Sequence, residues 1–182
     1  MKTTGFMSKG MALSSVCLLC VCIILVLATL IGLPGAIGGE NKANKPMVKG
    51  SLTFGKATAN YNDGVAVSGN FYGEPKTIVY LTDKLVDRNK VVEGLLKDGS
   101  YGEGSNRLEL TFNSKGNLTY YFFYVREGVK DVNVGKVAEG IMSETTISKS
   151  RAKGHVFVQK PLETLNREYK FDVTFDVDII SK

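Results

Sequence analysis

The sequence predicts a mainly-β domain: an antiparallel β-sandwich, or as the alternative a small β-barrel, of about eight strands with one short helix, preceded by an N-terminal signal or transmembrane helix. Three observations carry this. Apolar and polar residues alternate with period two through much of the chain after residue 47. One stretch, between Asp87 and Gly99, has a helical apolar stripe instead. And no charged residue occurs from Met11 to Leu33.

The N-terminus comes first. Lys2 and Lys9 are followed by the apolar run, then by Pro34-Gly35-Ala36-Ile37-Gly38, then by the first acid, Glu40. That order matches a secretory signal. The uncharged run of about 23 residues is longer than the roughly 7–15 of a signal h-region, and long enough to cross a ~30 Å hydrocarbon core. Two readings follow. Residues 1–38 are a signal peptide cut after Gly38, or residues 11–33 remain as a membrane anchor with Lys2 and Lys9 in the cytoplasm. Both put the rest of the chain outside the cytoplasm. Cys17, Cys20 and Cys22 all lie inside the run, and the residues before them (Val16, Leu19, Val21) do not form a lipobox. The rest of the chain has no cysteine, so its stability must come from its core.

Residues 39–46 read as a polar linker and residues 47–182 as one domain. The formal charge is +5; Lys2 and Lys9 supply two of it, and the domain side carries a mild, dispersed +3. A clustered basic footprint for nucleic acid is absent from the sequence, so no nucleic-acid partner is expected.

Leu52 and Phe54 alternate with Ser51 and Thr53. Residues 77–82 (TIVYLT) are apolar on both faces and predict a central strand. Asp87 is placed as an N-cap, Val86 and Val91 as a hydrophobic staple, Val91, Val92, Leu95 and Leu96 as the apolar stripe, and Gly99 as the C′ residue. A hairpin turning at Ser114-Lys115-Gly116-Asn117, with Lys115 and Gly116 central, sets Leu110 opposite Tyr121 and Leu108 opposite Phe123. A second strand pair, to within a slip of two, sets Lys149 opposite Asp178, Arg151 opposite Asp176, His155 opposite Asp172, Val156 opposite Phe171 and Val158 opposite Tyr169. Residues 159–168, with Pro161, close it as a loop.

Familiar chemistries fit poorly. His155, the single histidine, reads as a cross-strand partner of Asp172. Ser150 and Lys153 match S-x-x-K, but on a strand a spacing of three puts them on opposite faces. Asp172, Asp176 and Asp178 are spread along a strand, too far apart to converge on calcium. Residues 99–105 are glycine-rich but follow a helix, the wrong order for a phosphate loop. No catalytic residue, metal or cofactor is expected. The aromatic run Tyr120–Tyr124 stands out. Tyr121 and Phe123 are expected in the core; Tyr120, Phe122 and Tyr124 share the other face with Arg107, Glu109 and Thr111, either covered or as an exposed platform.

Residues 50–56 (GSLTFGK), 78–84 (IVYLTDK) with Asp87, and 169–175 (YKFDVTF) resemble a pattern in uncharacterised exported bacterial β-domains, with Leu85 where that pattern has a proline. The resemblance implies a β-sandwich-like fold and an exported location, and no activity. The expected function is an extracytoplasmic, non-enzymatic binding or interaction module. Its ligand-binding residues would be Tyr120, Phe122, Tyr124 and Arg107, for an unknown protein, glycan or lipid partner, with the membrane as a further partner through residues 11–33 if they are uncleaved. The alternatives are a carboxylate-dependent extracellular hydrolase and a structural component of the cell envelope.

Overall fold

Alternation in the C-terminal segment makes the longest element of the fold. Strand β11 (Arg167–Ser181) buries Tyr169, Phe171, Val173, Phe175, Val177 and Ile179 and leaves the residues between them exposed or half-buried. The computed structural model describes residues 45–85, 87–98, 101, 105–128 and 130–181. The apolar run 11–33, the cleavage site at Gly38 and most of the linker therefore lie outside the described residues, as do Val86 of the staple, Gly99 at C′ and most of the glycine-rich segment.

Before β11 come β1 (Met47–Phe54), β2 (Ala57–Asn60), β3 (Asp63–Phe71), β4 (Glu74–Thr82), the helix α1 (Arg88–Asp98), β5 (Arg107–Asn113), β6 (Leu118–Glu127), β7 (Lys130–Val137), β8 (Ile141–Ile147), β9 (Arg151–Val158) and β10 (Leu162–Thr164). They form an open mixed sheet in the order β2-β1-β11-β3-β4-β5-β6-β7, with β9 and β10 also on β11 and β8 on β9. The expectation of about eight antiparallel strands needs two corrections. There are eleven strands among the described residues, and one pairing is parallel. The extra strands are short or largely exposed: β2 and β10 span four and three residues, and β8 buries no side chain, so they carry little alternation. The parallel pairing joins Ile179–Ser181 to Ala66–Ser68, a separation that no local pattern reports.

The sheet curls so that β1 and β11 face β5 and β6 across the core. Rings meet there between strands that share no ladder: Phe54 and Phe123 at 5.8 Å, Phe112 and Phe175 at 6.5 Å, Tyr121 and Phe171 at 5.5 Å. The Tyr121 and Tyr169 hydroxyls hydrogen-bond each other within it. Burial and this partner push the Tyr121 phenol well above its ordinary pKa. β4 is central as expected, between β3 and β5, with Thr77–Thr82 buried on both faces.

The β5–β6 hairpin has the expected core register, Leu110 opposite Tyr121 and Leu108 opposite Phe123. Its turn differs. Asn113 pairs with Asn117 around a three-residue loop in which Gly116 takes φ 79°. Asn113 Oδ1 accepts the Lys115 and Asn117 amides, which favours the longer loop. A bulge between Thr111, which faces Tyr120, and Phe112, which faces Leu118, restores the register.

The β9–β11 pair keeps the expected parity but is slipped by two: Val156 faces Val173, and Arg151 faces Asp178. Lys149 lies outside β9, in the turn before it, and faces no strand partner. The slip comes from the segment expected to be a loop. There β10 pairs with the start of β11 through a tight Leu165-Asn166 turn, both residues at positive φ. Long side chains still reach the expected partners diagonally. Arg151 bonds both Asp176 and Asp178, and His155 Nε2 lies 2.8 Å from Asp172 Oδ1.

Helix α1 starts as its sequence dictates. Asp87 Oδ1 accepts the amides of Asn89 and Lys90 at 3.0 and 3.4 Å. Asp87→Ala is expected to cost about 1 kcal/mol, read as a lower urea midpoint. Val91, Val92 and Leu95 of α1 pack with Val65, Val67, Phe71, Ile78 and Tyr80, covering the outer face of β3 and β4.

Candidate functional site

The pairings set out rows of side chains across the outer face of the sheet. One row runs Val67, Ile78, Thr111, Tyr120, Val137; the next runs Val65, Tyr80, Glu109, Phe122, Gly135. The helix takes the β3–β4 end of these rows. The β5–β7 end carries the aromatic face singled out in the sequence.

That face is graded rather than flat. Tyr124 is 9% exposed, Phe122 is half-buried and Tyr120 is 41% exposed. Arg107 is buried beneath them. Its guanidinium carbon lies 5.1 Å from the ring centres of both Phe122 and Tyr124, within cation–π range. Its Nε donates to Glu109 Oε1 at 3.0 Å. Burial pushes the Glu109 carboxyl up to about 7, against the pull of the Arg107 charge. Tyr120 is positioned from below by Gly135 on β7. A Cβ at Gly135 would collide with the Tyr120 hydroxyl, so the ring lies over the glycine backbone.

Between this face and the β3–β4 hairpin is a cleft of about 350 Å3, lined by Phe71, Tyr72, Lys76, Ile78, Glu109, Thr111, Thr119, Tyr120 and Phe122. This is within the size of small-molecule sites. One wall is built by a tight two-residue turn with an uncommon residue in it. Tyr72 and Gly73 are the two central residues of the hairpin, at φ 55° and 83°, a pattern that favours Asn-Gly. Tyr72 is nevertheless a tyrosine, 85% exposed. Lys76 Nζ sits 2.9 Å from Glu74 at the same hairpin.

Two of the four expected binding residues, Tyr120 and Phe122, therefore line the cleft. Tyr124 and Arg107 do not; they are buried beside it and hold the face together. Tyr124→Ala should accordingly destabilise the fold rather than act on a ligand alone. Tyr72, Lys76 and Glu109 line the cleft as well, and none of them was expected as a site residue. Glu109 was visible on the aromatic face; Tyr72 had a signal only in the Tyr-Gly dipeptide between two strands.

Other groups are engaged elsewhere. The His155 ring stacks on Phe157 at 4.6 Å and pairs with Asp172. Asp176 and Asp178 are held by Arg151, and Arg88 Nη1 lies 4.0 Å from Asp178. Among the described residues, no cluster of three or more His, Cys, Asp or Glu could hold a metal ion. A second cleft, about 550 Å3, lies at the ends of β7 and β10. Its Lys136 sits over the Tyr169 ring at 5.7 Å and donates to the Glu163 carbonyl at 3.1 Å.

No protein-family model, no curated protein and no solved structure matches the chain. Fold and site together define a class: a mainly-β domain with one helix on its sheet and an aromatic-walled cleft beside that helix.

Proposed function

We propose that this chain is an extracytoplasmic, non-enzymatic binding module, built as a β-sandwich and using the Tyr72–Tyr120 cleft as its ligand site. The observation that carries this is the pairing of an exposed tyrosine on an unfavourable backbone, Tyr72, with an aromatic face propped on Gly135, around a concave space. Folding alone gives no reason for a tyrosine at that turn. The curl that faces β1 and β11 toward β5 and β6 supports the sandwich reading. Export rests on the sequence order of Lys2, Lys9 and the uncharged run. Binding is preferred to hydrolysis because, among the described residues, Glu109 is the single carboxylate lining the cleft, whereas a carboxylate-pair mechanism needs two about 5–10 Å apart.

The test is native mass spectrometry of the full chain from its own cells, with Phe122→Ala beside it. The wild type is expected to carry a bound small-molecule mass that the variant loses while keeping a cooperative unfolding transition. A bound mass that persists in a folded Phe122→Ala protein would place the ligand elsewhere. The same spectrum dates the N-terminus. A mass beginning at Gly39 means a released domain, and one retaining residues 1–38 means an anchored one.

A further inference from the structure

We propose that the occupant of this cleft is a saccharide, with sugar rings lying against Tyr72 and Tyr120 and their hydroxyls bonded to Glu109, Thr111 and Lys76. The inference rests on the cleft being the binding site and names what it binds.

A sugar ring has an apolar C–H face and a rim of hydroxyls that donate and accept. It therefore needs an aromatic wall and, beside it, both kinds of hydrogen-bonding group. The cleft offers both. Tyr72, Tyr120 and Phe122 supply rings, and Glu109, Thr111, Thr119 and Lys76 supply acceptors and donors. The Glu109 carboxyl, held near neutral pKa by burial, can serve in either role around pH 7. Arg107 fixes its orientation through the 3.0 Å bond.

Other ligand chemistries fit less well. A lipid chain wants an enclosed apolar space, and four of the nine lining residues here are polar or charged. A peptide strand would be captured on a sheet edge, but the floor of the cleft is formed by β4, β5 and β6, all interior strands with partners on both sides. A phosphate would face Glu109, and the lysine at the site is paired with Glu74.

The experiment uses the full-length chain in a detergent without a sugar headgroup. An array of neutral and acidic oligosaccharides is screened, and the hits are titrated by calorimetry against wild type, Tyr72→Ala, Tyr72→Phe and Tyr120→Ala. At least one oligosaccharide should bind. Tyr72→Ala and Tyr120→Ala should each weaken it about tenfold, the scale of one stacked ring, while Tyr72→Phe stays near wild type. A blank array with a bound native mass that still depends on Phe122 would overturn the saccharide and leave the cleft as the site. Binding of Tyr72-dependent type to phosphatidylglycerol vesicles, with no sugar bound, would do the same. Sugar binding untouched by both alanines, or a blank array with no bound mass, would overturn site and ligand together.

Discussion

Gly50→Ala is expected to destabilise the domain by about 3 kcal/mol or more. Gly50 sits within β1 opposite Val173 of β11, at φ 130°, a region that L side chains rarely adopt. A Cβ there would collide with the Asp172 carbonyl oxygen and the Val173 Cα, which are backbone atoms of the central strand and cannot rotate away. The Gly50 carbonyl also accepts the Tyr61 amide at 2.9 Å, so a shift of β1 would disturb the path into β2 and β3. Gly73→Ala is the control. It too has positive φ, 83°, but nothing lies within 4 Å of its Cβ position. Urea midpoints for the two variants should differ widely. A Gly50→Ala protein less than about 1 kcal/mol below wild type would mean that β1 does not approach β11 this closely.

The second large effect is on pH dependence. Glu109 has its carboxyl pushed up from an ordinary value near 4.5 to about 7 by burial. The folded protein therefore holds a proton that the unfolded chain has lost between those values. Stability from this group is fully present below about pH 4.5 and declines as pH rises through about 7, with a total near 3 kcal/mol. Urea unfolding of wild type and Glu109→Gln at pH 5, 6, 7 and 8 isolates it. The wild type should lose stability toward pH 8 relative to the variant. Parallel profiles would show that Arg107 neutralises the carboxylate fully and that Glu109 is ionised throughout. In that case its role as a donor in the cleft would go too.

How much of this was legible in the sequence varies by element, for physical reasons. β11 was readable because its six buried positions alternate without interruption from Tyr169 to Ile179. The core register of β5–β6 was readable because large residues on both strands demand one parity, and the three-residue loop with its bulge changed the turn without changing that parity. The β9–β11 slip was less accessible. Arg151 and His155 reach their aspartates from either register, so charge matching could not separate registers two residues apart. The parallel contact of β11 with β3 depends on how the sheet closes, which no local window contains. For the site, the aromatic run was evident, but its partition was not. Whether Tyr124 or Tyr120 is covered depends on Arg107 beneath one and on the bare backbone of Gly135 beneath the other. Tyr72 joins the site through the β3–β4 hairpin, more than forty residues away in sequence.

If the Tyr72 ring serves a ligand rather than the fold, the stability of Tyr72→Asn without added ligand will show it. Asparagine suits the φ of 55° at the first central position of this turn, and Tyr72 is 85% exposed. Tyr72→Asn is expected to be as stable as wild type or more stable by up to about 1 kcal/mol. A loss of about 1 kcal/mol or more would mean that the ring packs in the folded domain, and would contradict the claim that it stands at the rim of a binding cleft.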